Sequence, residues 1–211
     1  MSFGLVKHNN NSISAITSAA QLAQGKMTLL KEQTASSSSS ISFVNGSGGV
    51  VLDSTYPIYK FEFINIHPAT DNVALNINFS SDSGSNYNVT KTTTFFDAFH
   101  DEGGTNPSLG YRTGADLAQS TGEIILNYNS GVGNENDENC CGNMFLFAPS
   151  STTFVKHFMV INQTSAYSNY SINEFVAGYC NTTSAVDGVR FKMSSGNIDS
   201  GTIKLYGIKG S

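Results

Sequence analysis

Val73-Ala74-Leu75-Asn76-Ile77-Asn78-Phe79-Ser80 decides the reading of this chain. Apolar Val73, Leu75, Ile77 and Phe79 alternate with the small or polar Ala74, Asn76, Asn78 and Ser80. Side chains of a strand point alternately to opposite faces, so a period of two predicts a strand with one dry and one wet side. The pattern recurs outward in both directions. Residues 27–33 and 41–44 precede it. Tyr59, Phe61 and Phe63 share a face against Lys60 and Glu62, and the phase slips at Ile64 and Ile66, as at a bulge. After it come 90–99, 123–128, 144–148, 154–162, 174–180, 189–193 and 202–208, among which Val189, Phe191 and Met193 alternate with Arg190 and Lys192. Ser-, Gly-, Asn- and Thr-rich stretches separate them. About ten short strands at this spacing predict an all-β fold, a jelly-roll-like antiparallel β-sandwich.

Residues 1–26 differ in character. Ile13, Ile16, Ala20 and Ala23 recur at helical spacing, Ser12 or Ser14 can cap the start, and Gly25 sits where a helix ends. A helix of about three turns is marginal alone. The expectation is an N-terminal arm with a short helix over 1–26 and a sandwich domain over 27–211. Burial of Phe3, Leu5, Val6, Ile13, Ile16 and Leu22 would drive the arm to dock, on its own sandwich or on a partner.

Charged residues make up only 13% of the 211, about half the usual share. Ser, Thr, Asn and Gln must therefore wet the surface. Such a surface suits packing against other chains, because few charges need desolvating. A net charge of −5 with scattered Lys and Arg argues against nucleic acid as a partner. No apolar run approaches the roughly 20 residues of a membrane span, and residues 1–9 do not read as a signal peptide. The expectation is a soluble product made in a cytoplasm, with no membrane insertion. Asn-x-Ser/Thr sequences such as Asn88-Val89-Thr90 and Asn181-Thr182-Thr183 then read as chance. Three cysteines, Cys140, Cys141 and Cys180, do not make a secreted disulfide framework. Reduced thiols are expected, the alternative being a bond from either neighbour to Cys180. Cys140-Cys141 lacks the spaced partners of a zinc site.

No catalytic constellation stands out. Asp97, His100, Asp101 and Glu102 cluster at a strand end without a metal-binding motif, and read as charges facing water. Asn134-Glu135-Asn136-Asp137-Glu138-Asn139 offers oxygen ligands but lacks the spacing and central glycine of an EF-hand. The four histidines, His8, His67, His100 and His157, accompany no Gly-x-Ser-x-Gly elbow, and no base is visible beside the cysteines. Paired carboxylates for glycoside hydrolysis would require the fold to bring Asp97 and Glu102 together. No catalytic residue, metal site or cofactor is therefore expected, and the chain does not read as an enzyme. The long loops 101–122 and 129–143 are the places to look for function. Tyr87, Tyr111, Tyr128, Tyr167 and Tyr170 lie in or beside loops, and Tyr111 and Tyr128 are candidate contacts for a glycan.

Two stretches carry a resemblance. One is Met27-Thr28-Leu29-Leu30, then Ser38-Ser39-Ser40-Ile41-Ser42-Phe43, then Tyr59-Lys60-Phe61-Glu62-Phe63-Ile64-Asn65-Ile66-His67-Pro68-Ala69-Thr70-Asp71. The other is Gly201-Thr202-Ile203-Lys204-Leu205-Tyr206-Gly207-Ile208-Lys209. Together they bracket residues 27–209 and resemble virion structural proteins of tailed phages, marine ones especially. The resemblance implies a β-sandwich in the virion, as a tail-fibre or receptor-binding protein attached through its arm. The alternatives are a capsid decoration (cement) protein and a carbohydrate-binding β-sandwich module. It implies no catalytic residues. The partners implied are other virion proteins of capsid or tail, further copies of the chain with a trimer favoured, and a host-surface glycan.

Overall fold

A computed structural model describes residues 27–209. Among them are twelve strands and no helix. The strands are β1 (Met27–Thr34), β2 (Ile41–Val44), β3 (Ile58–Pro68), β4 (Leu75–Ser80), β5 (Lys91–Asp101) and β6 (Ser108–Tyr111), then β7 (Ile124–Ile125), β8 (Cys140–Phe147), β9 (Lys156–Ala166), β10 (Tyr170–Cys180), β11 (Gly188–Met193) and β12 (Ile198–Ile208). All pairings are antiparallel. Eight strands form one sheet in the order β1-β12-β3-β8-β9-β10-β5-β6, and four form a second, β2-β11-β4-β7. The predicted arm helix, with Phe3, Leu5, Val6, Ile13, Ile16 and Leu22, lies outside the described residues.

One apolar core joins the sheets. The smaller sheet contributes Ile41 and Phe43, Leu75, Ile77 and Phe79, and Val189, Phe191 and Met193. The larger contributes Tyr59, Phe61, Phe63, Phe95, Met144, Leu146, Phe158, Ile203 and Leu205. Rings meet across the gap: Phe43 stands edge-on to Phe61 at 5.4 Å, Phe191 lies 5.6 Å from both Phe61 and Phe63, and Phe79 lies 5.1 Å from Phe158. Each such pair adds about 0.5–1.5 kcal/mol beyond the area it buries.

The alternation identified the dry faces, and the slip expected near Ile64 is present. The β3–β8 register shifts between Phe63 and Ile66, and Asn65 takes φ 51°. On the other side β12 shifts between Ser200 and Thr202. There Gly201 holds φ 120°, and a Cβ would stand 2.6 Å from the Asn65 carbonyl oxygen. Only glycine fits such a backbone at such a distance.

Other expectations needed correction. The wet side of β4 is not wet: Asn76, Asn78 and Ser80 are 6%, 2% and 0% exposed. Neighbouring groups cover these side chains and bond those of Asn78 and Ser80, while Asn76 Oδ1 is buried with no partner among the described residues. Asn78 Nδ2 donates to the Thr121 carbonyl at 3.2 Å, and Lys91 Nζ donates to Asn78 Oδ1 at 2.7 Å. Ser80 Oγ donates to Asp82 Oδ1 at 2.8 Å. A period of two assigns faces but does not say what lies over them. The strand expected over 123–128 narrows to Ile124–Ile125, while Ser108–Tyr111 forms β6 inside what reads as loop. His67 and Pro68 belong to β3, and β8 starts at Cys140, so the second long loop ends at Asn139.

Candidate functional site

The connections 102–107, 112–123, 126–139 and 167–169 meet at one end of the sandwich and enclose a cleft of about 280 Å³. Its apolar wall comes from two strands. Phe99 of β5 and Ile172 of β10 are register partners and both line the cleft. Tyr170 stands edge-on to Phe99 at 5.6 Å. Its hydroxyl accepts a hydrogen bond from Asn106 Nδ2 at 3.0 Å. Asn106 is set by Asp101, whose carboxylate accepts from the Thr105 amide (2.8 Å), the Thr105 hydroxyl (2.6 Å) and the Asn106 amide (2.6 Å). These bonds, that of the Thr105 hydroxyl foremost, hold the Asp101 carboxyl below the usual carboxylate range. The first loop is thereby folded around one side chain.

Arg112, just past β6, supplies the cleft's cation. Its guanidinium lies 5.5 Å from the centre of the Phe99 ring. Nε and Nη2 both approach Oδ1 of Asp97, at 2.7 and 2.6 Å. Asp97 is fully buried on the inner face of β5, and its second oxygen accepts from Asn129 Nδ2. Ser130 and Ser168 share a hydrogen bond of 2.7 Å across the opening.

A polar layer continues beneath. Glu174 lies directly opposite Asp97 on β10 and is 1% exposed. It accepts from Asn162 Nδ2 at 3.1 Å and from Thr164 Oγ1 at 3.2 Å. Burial foremost, with Asp97 adding to it, pushes the Glu174 carboxyl well above the usual carboxylate range, which favours its neutral form. Neither Asp97 nor Glu174 lines the cleft. The lining residues are Phe99, Tyr170 and Ile172 with Asn106, Arg112, Asn129, Ser130 and Ser168; no carboxylate, imidazole or thiol is among them. Chemically, this is an aromatic wall ringed by donors and acceptors, which suits binding a polyhydroxylated ligand.

The sequence candidates lie elsewhere. Tyr111 is half exposed on the outer face of the large sheet, opposite Phe96, and donates to Asp116 Oδ2 at 2.7 Å. Tyr128 packs edge-on to Phe95 at 6.2 Å. Phe95 and Phe96 are consecutive strand residues on opposite faces, so the two tyrosines are not brought together, and neither lines the cleft. Tyr170 does. The cluster at 97–102 splits: Asp97 turns inward, Asp101 folds its loop, and His100 is exposed. In the acidic loop Glu138 is buried and accepts from the Glu135 amide at 2.9 Å. Among the described residues no three His, Cys, Asp or Glu side chains converge as a metal site would require. Cys140 pairs with Thr164 and Cys180 with Lys156, about 26 Å apart along β9. Burial raises both thiols, that of Cys180 to about 12.

Comparison with protein-family models, curated proteins and solved structures gave no match.

Proposed function

We propose that this chain is a non-enzymatic structural component of a tailed-phage virion, of the tail-fibre or receptor-binding type, whose cleft contacts a host-surface saccharide. One observation carries the reading: the molecule is polar from end to end. The described chain enters at Met27, in the cross-strand row that continues through Ile208, Ile58 and Phe147. The cleft lies at the other end of the same sheet, where Tyr170 pairs with Asp101. The strands between are about 30 Å long, as from Tyr170 to Tyr179 on β10. Attachment through residues 1–26 at one end and recognition at the other is the layout of a fibre subunit.

The finer fold assignment is a jelly roll. The order β2-β11-β4-β7 faces β3, β5 and β6, with the meander β8-β9-β10 inserted between β3 and β5. A double Greek key has this arrangement when three strands take the place of one. The low charge of the chain supports assembly with other virion proteins and with copies of itself, a trimer being the form expected of a fibre.

The test combines light scattering with a glycan array, using the full chain. A particle of about three times the 22.5 kDa chain mass, binding a saccharide more than tenfold more weakly after Phe99→Ala, is the expected result. No bound saccharide on a broad array overturns recognition at the cleft. A monomer that binds empty capsids at a fixed copy number replaces the fibre reading with capsid decoration.

A further inference from the structure

The outer face of the eight-stranded sheet carries an apolar groove of about 540 Å³. Its rows follow from the register. Met27, Ile208, Ile58 and Phe147 lie side by side across β1, β12, β3 and β8. Phe145, Met159 and Ala177 form a second row across β8, β9 and β10. Ile161, Phe175, Phe96 and Tyr111 form a third. Phe96 and Phe175 stack at 4.8 Å, yet Phe96, Met159 and Ile161 remain 42%, 53% and 41% exposed. Exposed apolar groups in three contiguous rows mark a surface that something covers.

We infer that residues 13–24 of the same chain pack into this groove, leaving Phe3, Leu5 and Val6 free to meet a partner. The first support is where the chain enters. Met27, where the described chain begins, pairs with Ile208, a groove residue, and so stands about one strand spacing, 5 Å, from the groove edge. The second is size. From β12 to β5 is five spacings, about 24 Å, and an 11-residue helix over 14–24 is about 16 Å long. Gly25 and Lys26 span the remaining gap. The third is chemistry. Residues 9–25 contain no charged side chain and place Ile13, Ile16, Ala20 and Ala23 at helical spacing. An uncharged, apolar-striped segment enters an apolar groove without desolvating a charge. The fourth is shape. A second copy of the sheet would present the same concavity and leave the space between unfilled, whereas a helix is convex and fills it. The inference does not depend on the virion reading.

Hydrogen exchange on the full chain at low concentration tests it, alongside Met159→Lys and chains lacking residues 1–12 or 1–26. Amides of residues 13–24 should exchange at least tenfold more slowly than an unfolded segment, and Met159→Lys should abolish that protection while near-ultraviolet circular dichroism stays unchanged. Binding of a hydrophobic dye should rise several-fold on removing 1–26 and stay at the full-chain level on removing 1–12. Exchange of 13–24 at the unfolded rate overturns the inference. So does protection that survives Met159→Lys, or protection that vanishes on dilution together with a larger scattering mass, which would assign the groove to another copy. Should Met159→Lys not fold, Ile161→Gln serves in its place.

Discussion

Replacing Arg112 by Met should destabilise the protein more than replacing its partner Asp97 by Asn, and the two changes together should cost less than Arg112→Met alone. The asymmetry comes from burial. Asp97 is 0% exposed, while the Arg112 side chain keeps 21% of its surface in water. Methionine preserves much of the stem against Phe99 but leaves a buried carboxylate with Asn129 as its remaining side-chain donor. Breaking a buried pair in this way costs about 3–5 kcal/mol. For a chain of this length each kcal/mol lowers the melting temperature by about 2–4 °C, so Arg112→Met should melt roughly 6–20 °C lower. Asp97→Asn leaves a guanidinium that can still reach water, and should cost about 1–2 kcal/mol. In the double variant the uncompensated charge is gone, so it should recover at least 1 kcal/mol relative to Arg112→Met. Thermal and urea melts of the four proteins close the cycle. Costs that simply add, or an Arg112→Met loss below 1 kcal/mol, would refute the view that Arg112 neutralises Asp97.

Glu174 should make stability fall as pH rises. Its folded pKa is raised, so the native state keeps a proton that the unfolded chain releases near 4.5, and stability is lost from that pH upward toward the folded value. Glu174→Gln should flatten this decline and melt higher at pH 7; melting curves from pH 4 to 8 check it. The Gln amide also has an acceptor nearby, because Asn162 Oδ1 is buried with no donor on it among the described residues. Gly201→Ala should cost about 1–3 kcal/mol from its backbone angle alone, with the contact on the Asn65 carbonyl adding to that; urea melts read the loss. A thiol reagent should modify Cys141 alone in the native protein, since Cys140 and Cys180 are buried with raised thiol pKa values. All three should react after unfolding, by mass or absorbance.

Much of the sheet structure is legible in the sequence because apolar alternation is a local signal. Leu75, Ile77 and Phe79, or Val189, Phe191 and Met193, state their face without reference to anything distant. Even the bulge at Asn65 shows, because the apolar phase changes at Ile64. The cleft is not legible in the same way. Asn106, Arg112, Asn129, Ser130 and Ser168 come from four separate connections, and loop residues carry no period that would say which of them meet. A signal for the layer below does exist. Lys91, Thr93, Phe95 and Asp97 share one phase of β5, and Phe158, Val160, Asn162 and Thr164 share one phase of β9. A charged or amide side chain in the dry phase of a strand is buried by its neighbours and must find partners there. In β5, β9 and β10 both phases carry apolar side chains, so the rule applies to Asp97, Asn162 and Glu174 only once the structure has shown which phase faces the core.

The same test of phase separates the two faces of the large sheet. Where one face meets solvent, an antiparallel strand alternates apolar and polar side chains; where both faces are covered, the alternation disappears. β3 alternates: Tyr59, Phe61 and Phe63 are buried, while Lys60 and Glu62 pair with each other at 2.7 Å on the outer side. β9 does not, since Phe158 and Val160 are buried on one face while Met159 and Ile161 occupy the other. β5 runs Phe95-Phe96 and β10 runs Ile172 and Val176 around Phe175, with the same loss of period. β8 loses it too, in Met144-Phe145-Leu146-Phe147, so the non-alternating strands are β8, β9, β10 and β5, adjacent in the sheet and beneath the groove. Sequence and structure thus agree that this patch of the sheet is built to be covered, and residues 9–25, which reach Met27 beside Ile208 through Lys26, are uncharged over the length needed to cover it.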